Sequence, residues 1–173
     1  MEVESFPYLP LNVHTHEIRL LVLREESTER EGEDPHLFGT IEHVSLIDTG
    51  PYIGLSYCWG EPTPSKLIRL KPYRSLAFQD VTITKNLYSA LWAVWKNRKD
   101  GMRSMRIWVD AICINQHDAY EKGQQIQRMQ QIYSKAWKVA AWAGPCLGTP
   151  SQTALEHLSM IPDLSCKIKR ALD

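Results

Sequence analysis

Hydrophobic positions in this chain come in short runs divided by polar punctuation, and the spacing inside each run indicates what it can form. Runs 17–23 (EIRLLVL) and 37–46 (LFGTIEHVSL) read as strands. Joined across the acidic stretch 25–34 (EESTEREGED), they predict a hairpin at one edge of a sheet. Run 52–59 (YIGLSYCW) is apolar on both faces, as a central covered strand would be. GEPTPS ends it, and KLIRL (66–70) with DVTIT (80–84) suggests an inserted hairpin.

The period then changes. Leu87, Leu91 and Val94 share one helical face with Ala90 beside them, and Thr84 stands where an N-cap belongs. KDGM interrupts, and RIWVD (106–110) gives the next strand. Asp118 heads a second helical pattern, with Glu121 three residues on as in a capping box. Ile126, Met129 and Ile132 recur there at three-residue spacing, extended by Tyr133 and Ala136. WKVAAWAG (137–144) is a further strand, and SQTALEHLSMI (151–161) a helix capped by Ser151. The last run, DLSCKIKRALD, reads as a helix without a stop, which suggests a chain cut from a longer one. From 52 onward the order is strand, helix, strand, helix, strand, helix. That alternation predicts an α/β fold with a mostly parallel sheet flanked by helices, carrying an N-terminal antiparallel strand addition. Residues 1–173 are expected to form one domain.

Composition adds limits. With 43% apolar and 23% charged residues the chain is in the globular range. No apolar run approaches the ~20 residues of a membrane helix, and MEVESFPYLPLNVHTHE lacks the features of a signal peptide. A cytoplasmic protein without a membrane span is expected. The cysteines at 58, 113, 146 and 166 form no CxxC pair, and His14 with His16 lacks a third ligand, so no metal site is assigned. The formal net charge of zero divides unevenly: residues 1–63 carry −9 and residues 64–173 carry +9. The basic part could attract a phosphorylated ligand, or two copies could meet head to tail, although 25–34 also reads simply as a solvated acidic loop. Basic residues are scattered rather than interleaved with aromatics, so no nucleic-acid partner is expected.

Ligands of open parallel sheets gather beyond the carboxyl ends of the strands. SYCWG (56–60), DAICINQ (110–116) and AGPC (143–146) should therefore meet at one rim. There Ser56, Tyr57, Trp59, Gly60, Cys113, Asn115 and Gln116 are the candidate binding groups. Asp110 and Glu121 are candidate acids on the same segments. Each also has a structural reading: Asp110 and Asn115 as turn-formers, Glu121 as a cap.

YIGLSYCWG, VTITKNLYSAL, RIWVDAICINQHD and QQIQRMQQIYSKAWKVAAWAG match, in order and spacing, the blocks of the fungal heterokaryon-incompatibility (HET) domain family, over residues 18–145. Glu121-Lys122 stands where that family usually has Glu-Arg, and Cys58 where it often has an aliphatic residue. The resemblance implies a module of nonself recognition leading to programmed cell death, with an upstream nonself-recognition receptor as a partner. HET domains are in turn similar to TIR domains, which have a flavodoxin-like sheet, self-associate, and in several lineages cleave NAD. This similarity implies self-association and NAD or a related nucleotide as substrate, with no required cofactor. It adds Glu156, on the helix after the third strand of the core, as a third candidate acid. A non-catalytic oligomerising module that recruits an executioner is the competing expectation.

Overall fold

The EIRLLVL run buries Ile18, Leu20, Leu21, Val22 and Leu23 to 3% exposure or less. Consecutive residues can vanish on both faces only in a strand flanked by neighbours and covered above and below. The computed structural model describes residues 6–24, 36–59 and 65–144. Their strands are β1 (Glu17–Arg24), β2 (Phe38–Ser45), β3 (Ile53–Tyr57), β4 (Ser65–Lys71), β5 (Gln79–Thr84), β6 (Ser104–Trp108) and β7 (Lys138–Trp142). The helices are α1 (Lys85–Lys96), the single turn α2 (Asp110–Cys113) and α3 (Ala119–Lys135).

All seven strands join one sheet in the order β5-β4-β2-β1-β6-β3-β7. The fold is α/β, but the sheet is mixed rather than mostly parallel. β1 pairs antiparallel with both β2 and β6, and β4 with β5; β2–β4, β3–β6 and β3–β7 are parallel. The expected β1–β2 hairpin therefore forms at the centre of the sheet, not at an edge. Alternating strands and helices dictate parallel pairing only from residue 52 onward, and β1 enters beside β6 in the opposite sense. The β4–β5 hairpin extends the same sheet, and β5 alternates half-buried and exposed positions as an edge strand does.

Within the parallel part the chain leaves β3, passes through α1 to β6 on one side, and returns through α3 to β7 on the other. Val94 of α1 shares a cavity wall with Ile53, whereas a side chain at Gly54 would meet Tyr133 of α3 at 2.8 Å. The two helices thus cover opposite faces of β3, which lets both crossovers keep the same hand. Tyr133 fills the space over Gly54, donates its hydroxyl to Leu55 O (3.2 Å) and meets Trp108 edge to face at 5.2 Å.

Helix boundaries follow their caps. Thr84 Oγ1 accepts from Leu87 N (3.2 Å), and Asp118 Oδ1 accepts from Tyr120 N and Glu121 N (both 3.0 Å). The capping box is only half built, because the Glu121 carboxylate reaches Arg19 of β1 instead of the helix start. The buried face of α3 is accordingly Glu121, Gln125, Ile132 and Tyr133, while Ile126 and Met129 are half-buried. The acidic stretch 25–34, the helix expected at 151–161 and the C-terminal run lie outside the described residues. No described helix is long and apolar enough to cross a membrane.

Candidate functional site

Because β3, β6 and β7 run parallel, their carboxyl ends share one rim, and the direction of chain travel reverses there between β3 and its two neighbours. Asp110 opens α2 directly beyond β6. Its Oδ1 accepts from Ala111 N (2.7 Å), and its Oδ2 from the indole Nε1 of Trp59, beyond the end of β3 (3.0 Å). Burial raises the carboxyl above the usual range, outweighing the Trp59 bond, the backbone amides and the charge of Lys122, all of which favour the anion. Gln116 folds back, and its Nε2 donates to Asp110 O at 2.9 Å.

Two buried polar atoms beside this acid have no partner among the described residues: the Tyr57 hydroxyl and Gln116 Oε1. The Tyr57 phenol is pushed up strongly, by burial first and by the Asp110 charge second. Unsatisfied buried groups of this kind call for an explanation, and a ligand or an ordered water supplies one. Trp59 is 48% exposed, leaving much of its ring open as a wall.

A clamp the sequence reading missed holds the rim together. Asn86, in the first turn of α1, donates through Nδ2 to Cys58 O (2.5 Å) and accepts through Oδ1 from Trp142 Nε1 (2.8 Å). Hydrogen bonds thus tie the end of β7 to α1 and α1 to the end of β3. One residue further, Trp59 ties β3 to the end of β6. Its signal in the sequence is slight: an amide in the first helical turn, just after a capping threonine.

The other expected residues divide. Ser56 is exposed on β3 near the rim. Asn115 Oδ1 accepts from His117 N (3.1 Å), a turn-forming bond. Cys113 is 1% exposed, with its thiol between Val109 N and Ile107 O and pushed up to about 12 by burial. It packs under the rim. Glu121 is 8% exposed and committed: Arg19 Nη2 donates to Oε2 (2.8 Å), Nη1 to Oε1, and Asn115 N also to Oε1 (2.7 Å). Arg19, fully buried, also donates to Leu9 O and Cys113 O and lies 4.8 Å from the Tyr8 ring centre. A lone arginine inside an apolar strand was the available signal for this second missed residue. Gly60 and Glu156 lie outside the described residues.

A cavity of about 710 Å³ lies at the opposite edge of the sheet, where β3, β6 and β7 begin. It contains none of the candidate residues, so size and chemistry point to different places. The far cavity has no acid in its lining, whereas the rim holds Asp110.

The family model described as "Heterokaryon incompatibility protein (HET)" matches residues 52–172. Among curated proteins, "Heterokaryon incompatibility protein 6, OR allele" of Neurospora crassa is 30% identical over 146 residues, 83% of this chain and 21% of that protein. The chain thus spans about a fifth of that relative's length. No solved structure matches it. With a family model covering most of its length and a relative of this identity, the chain belongs to the heterokaryon incompatibility (HET) family.

Proposed function

We propose that this chain is a cell-death effector domain of nonself recognition that self-associates and hydrolyses NAD or a related nucleotide, with Asp110 as the reacting acid. The observation that carries the reading is the setting of Asp110: a half-buried carboxyl at a strand end, fixed by the Trp59 indole, with the unpartnered Tyr57 and Gln116 atoms beside it. Strand order supports it as well. In order of appearance, β6, β3 and β7 stand as second, first and third, which is how flavodoxin-like sheets begin, and their ligand sits at that reversal.

The chemistry suits a single acid. When the bond between nicotinamide and ribose breaks, the leaving group departs as a neutral pyridine and needs no proton. Positive charge grows on the ribose, and an ionised Asp110 in a poorly solvated site stabilises it more than a solvated carboxylate would. Water adds at the ribose carbon, giving ADP-ribose and one released proton. Trp59 supplies a flat wall, and Tyr57 with Gln116 offers one donor and one acceptor for ribose hydroxyls. Glu121, with both oxygens engaged, serves in this scheme to position the 115–121 turn.

The test is release of free nicotinamide from NAD by concentrated purified protein. Turnover lost in Asp110→Asn is the expected result. Loss in Glu156→Gln with Asp110→Asn still active would move the chemistry to another acid. No turnover in any assembled state, with Asp110→Asn as toxic in cells as the parent, would overturn the enzymatic reading.

One feature favours a second reading, a non-catalytic module that recruits an executioner. Tyr120, Gln124, Gln127 and Gln131 fall on one face of α3; Tyr120 is 71% exposed, Gln127 and Gln131 are exposed and Gln124 is half-buried. In that case toxicity would follow substitutions on this face and ignore Asp110.

A further inference from the structure

The cavity at the starts of β3, β6 and β7 belongs to neither reading. Its volume of about 710 Å³ is that of a small-molecule site. Tyr52, Ile53, Val94, Met105 and Ala140 give it an apolar floor, and Met102 and Trp137, 39% and 68% exposed, stand at its mouth. Its charged lining is entirely basic: Arg98, Lys99, Arg106 and Lys138.

Two of these cations are already occupied. Arg98 donates to Trp95 O and stacks on the Trp95 ring, covering the negative end of α1 together with Asn97, whose Nδ2 donates to Ala93 O. Arg106 pairs with Glu42 and donates to Thr49 O. Lys99 and Lys138 make no ion pair among the described residues, and they reach the same cavity from α1's end and from β7. With the Ala93 and Trp95 carbonyls at the end of α1 already taken by Asn97 and Arg98, the charge of the two lysines is left for something else.

We propose that this cavity binds a small amphipathic anion, its apolar or aromatic body on the Tyr52–Met105 floor against Trp137 and its acidic group between Lys99 and Lys138. The site is separate from the Asp110 rim, at the other end of the same strands, a strand length of ~17 Å away.

The test uses 1-anilinonaphthalene-8-sulfonate beside the uncharged N-phenyl-1-naphthylamine, with circular dichroism confirming that every variant is folded. Expected is saturable one-to-one binding of the sulfonate, with quenching of tryptophan emission that is reduced in Trp137→Phe. The pair Lys99→Glu and Lys138→Glu should weaken the sulfonate roughly tenfold and leave the neutral probe nearly unchanged, as two partly exposed ion pairs would dictate. If that pair misfolds, Lys99→Met with Lys138→Met should show the same discrimination to a smaller degree. Equal weakening of both probes, unsaturable binding, or loss in Trp59→Ala instead would overturn the proposal.

Discussion

Asp110 and Glu121 are eleven residues apart, and each stands in the first turn of a helix, yet their surroundings differ. Glu121 faces a guanidinium that is itself fully buried, whereas Asp110 has an indole N–H, backbone amides and, among the described residues, no ion-paired cation. Removing either member of the Arg19–Glu121 pair strands a buried charge, so Arg19→Met or Glu121→Leu should each cost about 3–5 kcal/mol. The double replacement should cost less than Glu121→Leu alone, even though Asn115 N and the Leu9 and Cys113 carbonyls lose partners; urea unfolding of the three variants checks the order. Asp110 behaves differently. Its folded-state pKa is raised above the ordinary 3.8, so the folded protein holds the proton more tightly than the unfolded chain does. Its contribution is fully present below pH 3.8 and is lost as pH rises through the folded value. Unfolding free energies measured across acidic pH should show that loss in the parent and not in Asp110→Asn. At this scale the sequence showed which side chains were available but not their partners. Nothing local to residue 121 announces an arginine 102 positions earlier, and nothing near Asp110 announces Trp59.

Elements were easier to read, because period and punctuation act over a few residues. β1, β3, α1, β6 and β7 stand close to where the apolar runs put them, and Thr84 and Asp118 cap as their side-chain chemistry requires. The errors came from tertiary partners. In α3 the three-residue stripe suggested an apolar face, but buried polar groups on β1 rotate Glu121 and Gln125 inward, and Gln125 Nε2 donates to Glu17 O. Helix and sheet pack closely at Gly54, where an added methyl would sit 2.8 and 3.1 Å from two ring atoms of Tyr133. Because that ring is fixed by its bond to Leu55 O, Gly54→Ala should destabilise by about 1–3 kcal/mol. Thermal melts of Gly54→Ala and of Gly54→Ala with Tyr133→Leu measure this; the second change should recover part of the loss.

The whole molecule joins two half-sheets with different logic. On one side β3, β6 and β7, parallel and linked by crossover helices, create a rim; on the other, β1, β2 and the β4–β5 hairpin continue the sheet, with antiparallel pairing within β1–β2 and β4–β5. The sequence supported the first half, since alternating periods force crossovers, but it could not reveal that β1 docks on β6, a contact set by long-range burial alone. The family model begins at residue 52, just before β3, so β1 and β2 lie outside the matched stretch. Assembly belongs to this scale too. Should copies associate through the exposed face of α3, Gln127→Arg with Gln131→Arg should abolish concentration-dependent light scattering while leaving the thermal midpoint within about 2 °C, as exposed substitutions do.

The tie from Asn86 to β3 ends on a main-chain oxygen, so the side chain at 58 contributes nothing to it. That thiol is exposed, while the one at 113 is buried and held protonated. With Cys146 and Cys166 replaced by serine, a maleimide dye would therefore attach at position 58 alone, a fluorescent reporter one residue from Trp59 that leaves the fastening beneath it untouched.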